Sequence, residues 1–166
     1  MPAISLELLQ QYAAYDRWAR DRQWQVTAKV EDGELACALA GLDSLGVKWT
    51  HLLDAIDRWL ARIGGRNPGG MPDPWRLATI KELEAHKSAV LNRWETFLAT
   101  LDEERIAQTI EWRGPKGESL AMPLGSILQQ LLWHGQYHRG QISSALRAIG
   151  KQPPATDLLI FMREQG

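Results

Sequence analysis

Leu45, Trp49, Leu52, Leu53, Ile56, Trp59, Leu60 and Ile63 recur at intervals of three and four residues. Only an α-helix gathers such a spacing on one face. This helix runs from about Ser44 to Ile63, and Gly64-Gly65 ends it. Three further stretches carry the same rhythm. One runs from about Ser5 to Lys29, with Ser5 as an N-cap candidate ahead of Leu6, Leu9, Tyr12, Ala13, Trp18 and Ala19. Another spans about Thr79 to Leu101, with Leu83, Val90, Leu91, Trp94, Leu98 and Leu101 as core candidates; Thr79 and Glu82 fit a capping box. The last begins at Pro123, suited to a first helical turn, and runs to Ile149, where Gly150 and Pro153-Pro154 stop it.

The connections are less regular. Val30 to Asp43 contains Asp32-Gly33 and Gly41 and reads as a connection with one short turn of helix. Asn67 to Pro74 is a loop. Gly114-Pro115-Lys116-Gly117 suits a tight turn, with short β-like arms at Ile106 to Arg113 and Glu118 to Met122. A final short helix, about Thr156 to Glu164, is expected to dock Leu158, Leu159, Phe161 or Met162 on the rest. The pattern predicts a single domain over residues 1–166: an all-α four-helix bundle, a small hairpin before the fourth helix and a short C-terminal helix. Two of the connections are long, so short-loop up-down-up-down topology is not required.

A net charge of -1, with acidic and basic residues interspersed, gives no stripe for nucleic acid or an anionic membrane. Neither partner is expected. The eight tryptophans fall mostly at helical spacing, which points to core packing rather than base stacking. The single cysteine, Cys37, allows no internal disulfide and fits a reducing compartment; as a residue it reads as a small buried or half-buried apolar group. No apolar run approaches membrane-spanning length and no leader pattern opens the sequence, so a cytoplasmic protein is expected.

The chemistry concentrates in the histidines. His134 and His138 stand four apart on the fourth helix, one turn from each other on the same face. His138 falls roughly 35° from the centre of that helix's apolar stripe and His134 about 75° from it, with Gln130 and Gln141 along the same edge. A buried imidazole left without a partner costs about 1–3 kcal/mol. Two on one face are served by a shared metal ligand or by separate hydrogen bonds, and spacing alone leaves both open. A third imidazole, His51, lies about 140° from its own helix's stripe, beside Val47, Asp54 and Arg58. That position suits a surface residue or the lip of a cleft. His86, among Glu82, Glu84 and Lys87, reads as a solvated residue outside the site. A di-iron centre would need Glu-x-x-His on two helices, a zinc-protease motif a Glu at position 135, and a phosphate loop a Lys-Ser or Lys-Thr after its glycines. None is present.

The block His134-Gly135-Gln136-Tyr137-His138-Arg139-Gly140-Gln141-Ile142 resembles the DinB-like superfamily of bacterial metal-binding four-helix bundles. The resemblance includes Tyr15-Asp16-Arg17-Trp18-Ala19, where the family has Tyr-Asn-x-Trp-Ala, then Thr50-His51-Leu52-Leu53 and the close from Pro153 to Glu164. Asp16 replaces an Asn, and Arg20 a common second Asn. The resemblance implies an up-down-down-up bundle, a homodimer, and one divalent metal held by His51, His134 and His138. Three imidazoles suit zinc or nickel, and also iron or copper. In the enzyme this implies, the metal activates a low-molecular-weight thiol or a water against a small-molecule substrate, with S-transfer the first expectation and hydrolysis the second. Asp54 is then a candidate base or ligand-supporting carboxylate, and Gln141 a candidate orienting residue. The alternative is a non-enzymatic protein whose metal supports the fold or a dimer.

Overall fold

The computed structural model describes residues 4–38 and 43–166. In chain order it contains α1 (Leu6–Thr27), α2 (Asp32–Ala36), α3 (Leu45–Ile63), α4 (Ile80–Leu98), α5 (Glu103–Ala107), the hairpin β1 (Thr109–Arg113) and β2 (Ser119–Pro123), α6 (Leu124–Ala148) and α7 (Leu158–Gln165). Side chains satisfy the first free backbone donors of three of the long helices. Ser5 Oγ accepts from Leu8 N–H, Ser44 Oγ from Val47 N–H, and Thr79 with Glu82 closes a full capping box. Gly65, at a φ of 75°, turns the chain out of α3 through the left-handed region that glycine enters freely.

The long helices form a four-helix bundle whose directions follow from the side chains that meet. Tyr15 bonds Gln136 and Gln23 bonds Ser143, so α1 and α6 run parallel. Asp54 bonds His86 and Asp57 bonds Arg93, so α3 and α4 are parallel too. Glu95 meets Arg20 while Lys87 sits over Trp24, which makes α4 antiparallel to α1. The order is up-down-down-up. A parallel neighbour cannot be reached by a tight turn, because α3, 19 residues long, spans about 28 Å. The connection from Gly64 to Thr79 supplies the length to return.

Trp49, Leu53, Leu83, Leu128 and Leu146 are fully buried at the bundle's centre. The Trp24 ring meets Trp49 edge-on at 5.3 Å, and Trp49 Nε1 donates to Thr27 Oγ1 at 2.9 Å. Truncating so large a buried indole costs about 3–5 kcal/mol. The hairpin pairs Thr109 with Pro123 through Arg113 with Ser119, and Trp112 packs edge-on against Trp59 of α3.

Several boundaries differ from the sequence expectation. Helix α1 ends at Thr27 and α4 at Leu98, where closing turns replace the last predicted residues. Ile106 belongs to α5 rather than to a β arm. Pro123 pairs as the last residue of β2 and caps α6 from outside instead of entering its first turn. Only Phe161 of the α7 candidates is fully buried; Leu159 and Met162 face outward. Cys37 is exposed, not buried, because α2 gives just one turn and turns Leu35 inward in its place. The expectation at Gly41 lies outside the described residues. Trp75 and Trp133 are exposed, against the core reading of the tryptophans. No described helix is long and apolar enough to cross a membrane.

Candidate metal centre

Helix α3 packs against both α4 and α6, so polar residues outside its apolar stripe are also enclosed. His51 is one of these, and the structure turns it toward α6. Its ring lies 4.5 Å from that of His138 and 5.3 Å from that of His134, centroid to centroid. The His134 and His138 rings are 4.2 Å apart. One nitrogen from each of the three imidazoles can be chosen so that all lie within 4.8 Å of one another. His138 is buried and the other two half-buried, so the cluster is anchored in the bundle and open at one side.

Three observations fit a divalent cation to this cluster. His134 Nε2 and His138 Nε2 face each other at 3.0 Å. Two ligands of a tetrahedral zinc, each at about 2.0–2.1 Å, stand roughly 3.3 Å apart. The other nitrogen of His138, Nδ1, meets Gln141 Oε1 at 2.7 Å. An amide oxygen can only accept, so Nδ1 carries the proton and Nε2 presents its lone pair to the cluster. Finally, the surroundings of all three imidazoles disfavour the charged form, and the neutral form binds metal. Burial pushes His134 down to about 4, helped by the neighbouring His138 and His51. Burial lowers His138 despite its bond to Gln141, and lowers His51, with Lys48 adding to the effect.

Asp54 lies one turn from His51, buried, and its hydrogen bonds run the other way. Arg76 grips it in a two-pronged contact, Nη1 to Oδ2 at 2.7 Å and Nη2 to Oδ1 at 2.5 Å. His86 Nε2 donates to Oδ1 at 2.9 Å. Burial alone would raise this carboxyl, yet the bonds from His86 and Arg76 prevail and hold it below its ordinary value. Asp54 therefore ties the 64–79 connection to α3 and α4. His86 is half-buried in that tie, not solvated as expected; its charged sequence neighbours hid a partner 32 residues away. A spacing of i, i+3 on one helix placed Asp54 near His51 but said nothing of Arg76, whose loop position left no periodic signal.

The family model described as DinB family matches residues 4–166. Over 85 residues the chain is 28% identical to protein DinB of Bacillus subtilis (strain 168), a match covering 49% of this chain and 49% of that protein. It thus spans about half the length of this relative. Among solved structures, a DinB-like protein from Bacillus cereus ATCC 10987 superposes with a TM-score of 0.67 at 19% identity, covering 90% of this chain and 95% of that one. YfiT from Bacillus subtilis does so with a TM-score of 0.65 at 18% identity, covering 92% and 93%. YfiT is described as a probable metal-dependent hydrolase with an unusual four-helix bundle topology. At these identities the likeness establishes the shared fold.

Proposed function

The chain belongs to the DinB family, and from that premise we propose that it is a metal-dependent enzyme whose divalent cation is held by His51, His134 and His138. The observation carrying this reading is the grouping of three imidazoles from two helices, their ligand atoms within 4.8 Å of one another and two of the rings half-exposed. A structural site is ordinarily closed by four protein ligands, whereas three with an open side is the catalytic pattern. A zinc or nickel ion there would lower the pKa of a coordinated thiol or water and so supply a nucleophile at neutral pH.

The first reaction we propose is S-transfer from a low-molecular-weight thiol. The thiol's proton passes to solvent, its sulfur forms a bond to an electrophilic carbon, and the leaving group departs with the bonding pair. The description of YfiT as a metal-dependent hydrolase supports hydrolysis as the second reading. In either, Gln141 holds His138 in the tautomer that faces the cluster. A homodimer in the cytoplasm completes the proposal. The test is metal analysis of protein purified without an affinity tag, followed by a panel of thiols, electrophiles and esters. About one metal per chain and turnover abolished in His134→Ala are expected. Metal-free protein, or turnover indifferent to that substitution, overturns the reading.

A further inference from the structure

The C-terminal half of α3, the following loop and the tip of the hairpin line an open cavity of about 470 Å³, within the range of small-molecule sites. Arg58, Arg62 and Arg113 line it, and Asn67 and Gly70 form part of its wall. Arg66 lines an adjoining cleft that shares Arg113 and Asn67 and also holds Glu111. Charges scattered along the sequence are here brought to one place on a chain of net charge -1.

What marks the cavity is that its cations are not neutralised. Among the described residues, none of Arg58, Arg62, Arg66 and Arg113 makes an ion pair; the carboxylates nearby on α3 are engaged elsewhere, Asp57 by Arg93 and Asp54 by Arg76. Arg58 Nη1 donates to Gly70 O at 2.8 Å, and Arg113 Nη1 to Ser119 Oγ at 2.7 Å, so neutral oxygens hold the two side chains in place. The Arg62 guanidinium sits over the Trp59 ring, 4.9 Å from its centroid, with its Nε buried and without a hydrogen-bond partner among the described residues. Arg58 and Arg62 stand one helical turn apart, a like-charged pairing that is unfavourable on any helix. Burial and that neighbour together pull the Arg62 guanidinium below its ordinary basicity. Oriented guanidinium forks around a concavity match the geometry of a phosphoryl group, which offers several oxygens to planar donors.

The geometry points to a binding site for a small phosphoryl-bearing ligand, a phosphate monoester or free phosphate, between Arg58, Arg62 and Arg113. It lies apart from the histidine cluster and stands independently of any reaction proposed there. The concave arrangement favours a small molecule over a nucleic-acid backbone, which is met by an extended basic stripe.

Isothermal titration of the full chain with inorganic phosphate and with glycerol 3-phosphate tests this. Saturable binding of both is expected, weakening as ionic strength rises. Arg62→Gln and Arg113→Gln should each weaken it about tenfold. Arg113 is exposed on β1, so its substitution leaves the fold intact should Arg62→Gln disturb packing; circular dichroism checks both. His134→Ala should bind phosphate as the parent does, which separates this cavity from metal-bound phosphate at the histidines. Absence of saturable binding, parental affinity in Arg113→Gln, or loss of binding in His134→Ala overturns the proposal.

Discussion

On one side of α6, His134 and His138 face His51 of α3; on another, Arg139 reaches Asp16 of α1. Both places bury polar groups between helices, and they solve the problem in opposite ways. The Asp16 carboxylate is shared, one oxygen accepting from Arg139 and the other from Arg20. Arg20 also meets Glu95 of α4 at 3.4 Å, and Arg139 donates to Gln136 at 2.5 Å. Glu95 also pairs with Arg17 at 2.7 Å, so three guanidiniums share two carboxylates here. Gly135 makes room, since a Cβ there would come within 3.0 Å of Asp16 Oδ1. The histidine cluster differs: among the described residues its imidazole nitrogens bond one another and Gln141, and no carboxylate. One interior pairs its charges across three helices, leaving Arg20 Nε and Arg139 Nε as its buried donors without a partner among the described residues; the other groups three imidazoles that could hold a metal ion.

The largest effect expected is on the side of the paired charges. Asp16→Ala leaves two buried guanidiniums facing each other and should cost about 3–5 kcal/mol, read from urea denaturation. The folded fraction should keep its metal stoichiometry. A loss below about 1 kcal/mol would show that the cluster relaxes to solvent and would break the comparison.

On the histidine side the order reverses. His134→Ala should leave the metal-free protein's melting temperature near the parent's while abolishing the stabilisation that added metal confers, about 2.7 kcal/mol at a hundredfold excess over Kd. Metal-dependent melting that survives in this variant would place the cation elsewhere. A smaller loss follows at Gln141. Gln141→Ala frees the His138 tautomer without removing a ligand, so metal affinity should fall roughly 10-fold, up to 100-fold, measured by competition with a chelator. Parental affinity would remove Gln141 from the centre.

These two interiors were unequally legible. The His134–His138 pair announces itself because both members share one helix, where spacing translates directly into geometry. His51 does not, because apolar periodicity finds the face of α3 turned to the core and overlooks a polar face covered by a second helix. The same reasoning missed His86 and Arg76, whose role depends on Asp54 across the α3–α4 contact. Asp16 and Arg20 were visible only as departures from a family pattern; Arg139, which donates to Asp16, is 123 residues from it, a separation no local rule crosses. The four long helices, the caps at Ser5 and Thr79 and the loop positions were legible because they are set within a few residues; α5 was not, and Pro123 was placed inside α6. The direction of each helix followed only from a family likeness until side-chain partners showed it.

The smallest effect separates neutral ligands from paired charges by acid. In the folded chain His134 gives up its proton down to about pH 4, mainly because burial disfavours the charged ring, while an unfolded imidazole holds it up to about 6.5. Below 6.5 the unfolded chain therefore binds more protons than the folded one, and stability falls as pH drops from 6.5 toward 4. His51 and His138 shift in the same direction and add to the slope. Allowing for solvent screening at a half-buried ring, His134 should account for about 1–2 kcal/mol across that window in metal-free protein. Thermal melts at half-unit steps of pH measure it. His134→Ala should flatten the slope, and a stability that rises on acidification would mean that these imidazoles already share a counter-charge, which would remove the case for a cation between them.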